Sequence, residues 1–271
     1  MPRSPLSGAT TAVWVIRCIL LQTMRQTNIE VLQLNETAST NDEVKRLMRI
    51  SEAEKVIVVA DYQTAGRGQG SNRWESERGK NLTLSVGVRP VFIQARHQFA
   101  LLQVMSLAVA QTLDQYTDGI TIKWPNDIYY CDMKISGTLI ENELRGQLIQ
   151  QCVLGTGINV NQERFVSDAP NPVSLRQILG HDVARDRLFM ALLEQFETLY
   201  ERLKSGENEL IAGEYWDRLY WRKGVHPFSD SGGRFMASID SIEPDGHLLL
   251  RVGEGDVRRY AFKEVRFLIG D

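Results

Sequence analysis

Gln63-Thr64-Ala65-Gly66-Arg67-Gly68-Gln69-Gly70-Ser71-Asn72-Arg73-Trp74 is the stretch whose reading decides this chain. Glycines, arginines and amides crowd a segment where no apolar core can form, so it reads as a mobile loop built to grip an anion. Glycines let backbone N–H groups come close to a ligand, and the guanidinium groups of Arg67 and Arg73 present paired donors to phosphate or carboxylate oxygens. Taken alone, the same composition also fits an RNA-binding segment or a surface turn. Its flanks narrow the reading. Lys55-Val56-Ile57-Val58-Val59-Ala60 is a continuous apolar run rich in β-branched residues, and Asn81 to Val88 alternates with a period of two, so two strands bracket the loop. A glycine-rich connection leaving a buried strand is a common address for a binding site, because the scaffold is rigid while the loop can close. No Gly-x-Gly-x-x-Gly opens a helix here and no Gly-Lys-Ser or Gly-Lys-Thr follows, which excludes the Rossmann and P-loop fingerprints.

A second constellation runs Ile120-Thr121-Ile122-Lys123-Trp124-Pro125-Asn126-Asp127-Ile128-Tyr129-Tyr130 and continues through Lys134-Ile135-Ser136-Gly137 to Glu141. It predicts a strand, a tight turn and a second strand, with Pro125 fixing one φ angle and Asn126-Asp127 favouring the turn. Lys123 and Lys134 flank this apolar hairpin. A solvated edge lysine accounts for either one singly. The alternative is a lysine beside a glycine facing a pocket, its ammonium holding a carboxylate or a developing phosphate charge, with Gly137 letting the ligand lie against the backbone.

These blocks resemble the biotin protein ligases. Ser39-Thr40-Asn41, then Gln63 with Gly66-Arg67-Gly68-Gln69 and Trp74, then Lys123-Trp124-Pro125-Asn126-Asp127, then Lys134-x-x-Gly137 match that family in order, and Gly155-Thr156-Gly157-Ile158-Asn159 resembles its Gly-x-Gly-Ile-Asn element. Together they span roughly residues 30 to 175. The resemblance implies an α+β fold, a mixed β-sheet packed with helices, followed by a small C-terminal SH3-like β-barrel. It divides the chain into an extension at 1–28, a catalytic biotin- and ATP-binding domain at 29–222 and the barrel at 223–271. It implies a ligase that forms a C–N bond in two steps: biotin and ATP give biotinyl-5′-adenylate and pyrophosphate, and a lysine of a biotin carboxyl carrier domain then takes the biotinyl group.

By the same resemblance, Arg67 and Lys134 are catalytic. Ser39, Thr40, Asn41, Gln63, Gly66, Arg67, Gly68, Gln69, Lys134 and Gly137 bind biotin, and Arg67, Trp74, Lys123, Asn126, Lys134 and Asn159 bind ATP or the adenylate. Short polar side chains suit a ureido group, whose carbonyl and two N–H groups need acceptors and donors at fixed points. Ser39-Thr40-Asn41 also reads as a helix N-cap before Glu43-Val44-Lys45, with Thr40 or Asn41 expected to serve both purposes. Mg²⁺ enters with ATP, and Asp127 or Asn126 is the candidate oxygen ligand for it. Asp168-Ala169-Pro170-Asn171-Pro172 falls where the family has a second loop over adenine. Ser71 stands where the common loop form has glycine, which moves the position tolerating φ > 0 to Gly70. The alternatives are a lipoate or octanoate protein ligase on the same scaffold, whose arginine and glycine block differs, and a noncatalytic biotin-responsive protein, which would lack Arg67 or Lys134.

The remaining features agree with an enzyme. A chain of 271 residues is long enough for one large domain and one small one. A net charge of −3, from 31 basic and 34 acidic residues, argues against broad nucleic-acid binding. Cys18, Cys131 and Cys152 are scattered and odd in number, which points to a reducing cytoplasm, and His97, His181, His226 and His247 lie too far apart in sequence for a zinc signature. Residues 1–28 stand outside the pattern. Arg17 interrupts their apolar run and no small-residue cleavage site follows before Arg25, so they read as an extension, with Met24 an alternative start and no membrane span. No winged helix-turn-helix fits before Ser39, so the resemblance is to the monofunctional class, a monomer or homodimer without DNA binding. Helices are predicted at 98–113, 186–203 and 209–220, and short strands with turns at 230–233, 243–246 and 253–256 predict the barrel.

Overall fold

The computed structural model describes residues 29–70, 72–166, 171–253 and 255–270. The expected extension at 1–28 with Cys18, the Ser71 substitution and Asp168 to Pro170 of the second loop lie outside the described residues. Seven strands form the main sheet: β1 (Ile29–Leu34), β2 (Lys55–Ala60), β3 (Leu82–Val88), β4 (Ile120–Lys123), β5 (Asp127–Tyr130), β6 (Met133–Arg145) and β7 (Leu148–Ile158). Their order is β1-β2-β3-β7-β6-β5-β4. β1 and β2 pair in parallel because helix α1 (Thr40–Met48) carries the chain back between them, and the other neighbours pair antiparallel. The glycine-rich segment is bracketed by two strands as expected, and these are neighbours in the sheet, with Lys55 opposite Val88 and Ala60 opposite Thr83.

Alternation along the strands separates two faces. Leu82, Leu84, Val86 and Val88 of β3, with Leu154 and Ile158 of β7, turn to one side and join the main core with helices α2 (Phe99–Leu113) and α4 (Arg185–Lys204). Helix α2 is buried throughout except at Ala100 and Gln111, as its nearly unbroken apolar sequence requires. The other face carries α1, whose Val44, Leu47 and Met48 pack on Val56, Val58 and Val153. Arg89 closes the end of α1 by donating to the carbonyls of Met48 (2.7 Å), Ser51 (2.9 Å) and Ala53. Helices α3 (Leu175–Leu179) and α5 (Asn208–Asp217) join the main core on the opposite face through Leu175, Ile211 and Tyr215. The helix expected at 209–220 stops at Asp217, because the next residues hydrogen-bond to β4 instead: Ile122 N donates to Arg218 O (2.8 Å) and Tyr220 N to Ile122 O (2.9 Å).

A second, antiparallel sheet has five strands in the order β11-β10-β9-β8-β12: β8 (His226–Asp230), β9 (Gly233–Ile242), β10 (Leu248–Val252), β11 (Asp256–Tyr260) and β12 (Arg266–Phe267). The first half of β9 pairs with β8 and its second half with β10, the split partnership by which a small sheet curls towards a barrel. This sheet is seated on the first one. Trp124 Nε1 donates to Gly246 O (3.0 Å), and Phe262 meets the rings of Trp124 and Phe99 at 5.3 and 6.1 Å between centroids. Among the described residues no helix is long and apolar enough to cross a membrane.

Candidate active site

The α1 face of the main sheet carries a strip whose centre is bare of side chains at Gly137, Gly155 and Gly157. Register places Lys123, Asp127, Gly137, Gly157, Thr83 and Ala60 side by side across β4, β5, β6, β7, β3 and β2, and Gly155 lies opposite Ser85 two residues along. Each glycine leaves space that a neighbour fills. A Cβ on Gly155 would come within 3.0 Å of Asn41 Oδ1 and Cγ, and one on Gly157 within 3.0 Å of the Trp74 indole; on Gly137 it would meet Asp127 Oδ1 at 3.0 Å and Lys134 Nζ at 3.3 Å. Only glycine permits this close approach, and a flat ligand can use the same floor.

Along one side of the strip runs a chain of polar groups. Gln63 Oε1 accepts from Thr40 N (2.8 Å) and Thr40 Oγ1 (3.0 Å), Ser85 Oγ lies 2.7 Å from Thr40 Oγ1, and Ser85 donates to Asn41 Oδ1 (2.6 Å). Asn41 Nδ2 donates to Glu141 Oε2 (2.6 Å), and Lys45 Nζ to Glu141 Oε1 (2.6 Å). Ser39, Thr40, Asn41 and Ser85 are all buried. Burial works to raise the pKa of Glu141, but the bonds from Lys45 and Asn41 outweigh it and leave the carboxyl below its usual value. The N-cap expectation is corrected here. Ser39 is the N-cap and its side chain makes no capping bond, while Thr40 and Asn41 are the first residues of the helix and spend their side chains on Gln63, Ser85 and Glu141.

The glycine-rich segment folds as a narrow hairpin above the strip. Arg67 bridges Arg73, Gly68 N donates to Asn72 O (2.8 Å), Trp74 N donates to Gly66 O (3.1 Å), and Gly70 has a φ of 69°. Arg67 makes a bidentate pair with Asp42, at 2.8 and 2.7 Å, and lies 3.8 Å from Glu141. The hydrogen bond from Arg67 holds the Asp42 carboxyl below its usual range. At the far end of the strip Lys134 Nζ is 2.6 Å from Asp127 Oδ1. Between these pairs, Trp74 Nε1 and Thr83 Oγ1 are buried without a hydrogen-bond partner. Such orphaned groups beside a bare floor mark where a ligand's polar atoms belong.

Most of the predicted residues therefore converge: Thr40, Asn41, Gln63, Gly66, Arg67, Trp74, Lys134 and Gly137 surround one strip. Others have structural partners. The Asn126 side chain donates to Thr138 O and braces its turn, and Asn159 Nδ2 donates to Val173 O (3.1 Å), tying β7 to the segment before α3. Lys123 shares the row with Asp127, yet its ammonium faces the rings of Phe267 (4.8 Å) and Tyr129 (5.6 Å). Burial lowers its pKa, against the pull of Asp127. Asp42, Ser85, Thr83, Gly155 and Gly157 complete the site without having been assigned to it from sequence. Glu243, Asp245 and His247 gather within 4.8 Å, but Arg259 reaches all three, at 2.5, 2.9 and 2.9 Å, and supplies the positive charge a cation would bring.

Comparison with known proteins fits this geometry. Residues 34–159 match the family model of the biotin/lipoate A/B protein ligases. The chain is 30% identical over 233 residues to the bifunctional ligase/repressor BirA of Bacillus subtilis, covering 83% of this chain and 70% of that one. This chain belongs to the biotin protein ligase family. It is also 29% identical over 228 residues to the biotin–[acetyl-CoA-carboxylase] ligase of Mycobacterium tuberculosis, covering 80% and 82% of the two chains. The biotin protein ligase of Aquifex aeolicus, solved with biotin and ATP, shares the fold with a TM-score of 0.73 at 24% identity, over 88% of this chain and 99% of that one. The mixed sheet followed by a small antiparallel sheet is thus the fold of the biotin protein ligases.

Proposed function

We propose that this protein activates biotin with ATP to biotinyl-5′-adenylate and passes the biotinyl group to a lysine of a biotin carboxyl carrier domain. One observation supports this most: a chain of neutral donors and acceptors from Gln63 through Thr40 and Ser85 to Asn41 runs beside a glycine floor flanked by two cations, Arg67 and Lys134, each held by a carboxylate. The neutral chain suits a ureido head, which is uncharged and needs both donors and acceptors. Trp74 supplies an apolar wall over Gly157, with its N–H still to be satisfied.

In the first step a carboxylate oxygen of biotin attacks the α-phosphorus of ATP, the bond to the β-phosphate breaks and pyrophosphate leaves. Both partners are anions. Arg67 and Lys134 screen that repulsion and orient the reacting groups once they exchange Asp42 and Asp127 for the substrates. Asp127, released from Lys134, would then be an oxygen donor suited to the Mg²⁺ that ATP carries. In the second step the neutral amine of the carrier lysine attacks the acyl carbon and AMP leaves. The free thiols of Cys131 and Cys152 suit a cytoplasmic, reducing setting.

The test is exchange of labelled pyrophosphate into ATP without carrier protein, with biotin, octanoate or lipoate supplied in turn. Exchange with biotin alone is expected. Exchange with octanoate or lipoate instead would move the protein to the other branch of its family, and no exchange with folded protein and Mg²⁺ present would sink the proposal.

A further inference from the structure

Building on that reading, we propose that Lys263, supplied by the C-terminal sheet, is a positioning residue for the ligase reaction: it straps the tip of the glycine-rich hairpin and so sets how long the adenylate stays bound. Lys263 Nζ donates to the carbonyl of Gln69 at 2.9 Å across a separation of 194 residues. The seat is shaped for it, since a Cβ on Gly70 would overlap that ammonium.

The lysine itself is held. Its φ is 73°, a conformation that residues other than glycine adopt at a cost and keep only when their surroundings impose it. The turn around it is closed by Glu264 N donating to Ala261 O (3.2 Å) and Ala261 N donating to Glu264 Oε2 (2.7 Å). Phe262, next to it, is lodged against Trp124 and Phe99 of the larger sheet domain. The base of the lysine is therefore fixed to the core, and its reach ends on the hairpin.

Gln69 lies two residues from Arg67, and the Gly68–Asn72 bond makes tip and arginine parts of one hairpin. The other tie on Arg67, its pair with Asp42, must be exchanged when an anionic ligand arrives. The Lys263 tie is to a backbone carbonyl and carries no such competition. It can hold the hairpin down both before and after adenylate forms.

The experiment forms the adenylate on the enzyme from biotin and ATP, then follows its release into a chase, for wild type, Lys263→Ala, Lys263→Gly and Lys263→Arg. Glycine suits the backbone at this position and removes the whole side chain with its ammonium, while alanine keeps the Cβ. Pyrophosphate exchange and Tm are measured on the same samples. The Ala and Gly variants are expected to release adenylate roughly three- to tenfold faster, the worth of one hydrogen bond from a charged donor near the surface. Maximal exchange rate stays at the wild-type value, Tm is not lowered and rises if anything in the Gly variant, and Arg restores slow release. Wild-type release in both variants, or fast release that Arg does not correct, overturns the strap. If wild type shows no biotin-dependent exchange, the ligase reading falls first and the strap with it.

Discussion

Along the Thr40 side of the site the polar groups are buried and tied to one another, whereas Arg67 and Lys134, at opposite ends of the strip, are partly exposed and tied to carboxylates. Thr40, Asn41 and Ser85 are 2%, 4% and 0% exposed, but the Arg67 and Lys134 side chains are 41% and 23% exposed. The contrast separates two tasks. A buried network cannot shift without orphaning one of its members, so it fixes the shape that the ligand head must match. An exposed ion pair is worth little by itself and exchanges its anion easily, which suits a place where charge moves during the reaction.

The largest effect that would break this contrast is at Lys134. Lys134→Ala is expected to slow biotin-dependent pyrophosphate exchange by about 10²–10³-fold, while biotin binding without ATP, followed by calorimetry, changes far less. A wild-type exchange rate would remove Lys134 from the chemistry. Gly155→Ala attacks the rigid side by pushing a methyl into Asn41, and overpacking of this kind costs about 1–3 kcal/mol of stability. Biotin affinity is expected to fall with it, and denaturant melts read the first part. Gly213→Ala in α5 is the control: nothing lies within 4 Å of its added methyl, so it should stabilise the fold if anything.

Ser85→Ala sharpens the same point more gently. It leaves Asn41 Oδ1 buried without its donor, for a cost of about 1–2 kcal/mol, and an unchanged Tm would mean that the network is slack. The smallest effect is expected from Asp42→Asn, because that pair is exposed and worth at most about 1 kcal/mol. Its pH dependence has a definite sign. The Asp42 carboxyl is lowered in the fold, so the stability it contributes is present above the usual 3.8 and lost only as pH falls through the lowered value. Wild type should then exceed Asp42→Asn in stability by a constant small margin at neutral pH, and the margin should close as pH falls below 3.8 through the lowered value.

Much of this was legible in the sequence because short-range punctuation carries it. Gln63 to Trp74 announced a loop between two strands, though not its hairpin form, and Lys134 with Gly137 offered a cation beside bare backbone as one of two readings. Ser85 and Thr83 were hidden, since a hydroxyl inside a strand gains its meaning only from register, and β3 meets β7 across a long stretch of chain. Asp42 was hidden for a different reason. A carboxylate in the first turn of a helix is ordinary, and nothing local says that an arginine 25 residues on will fold back onto it. The end of α5 was missed because its final turn is displaced by bonds to β4, a tertiary preference that no local pattern encodes.

The Trp124 indole that donates to Gly246 makes the small sheet a cover over aromatic surface. A protease nick between Arg222 and Val225 would therefore not release two well-behaved pieces. Separated, the larger piece would bare Phe99, Trp124 and the stem of Lys123 to water, a sticky patch of the kind that drives aggregation. Nicked protein is expected to travel as one particle on a sizing column and to precipitate once denaturant parts the fragments and is diluted away; two soluble fragments would mean that the cover is loosely seated.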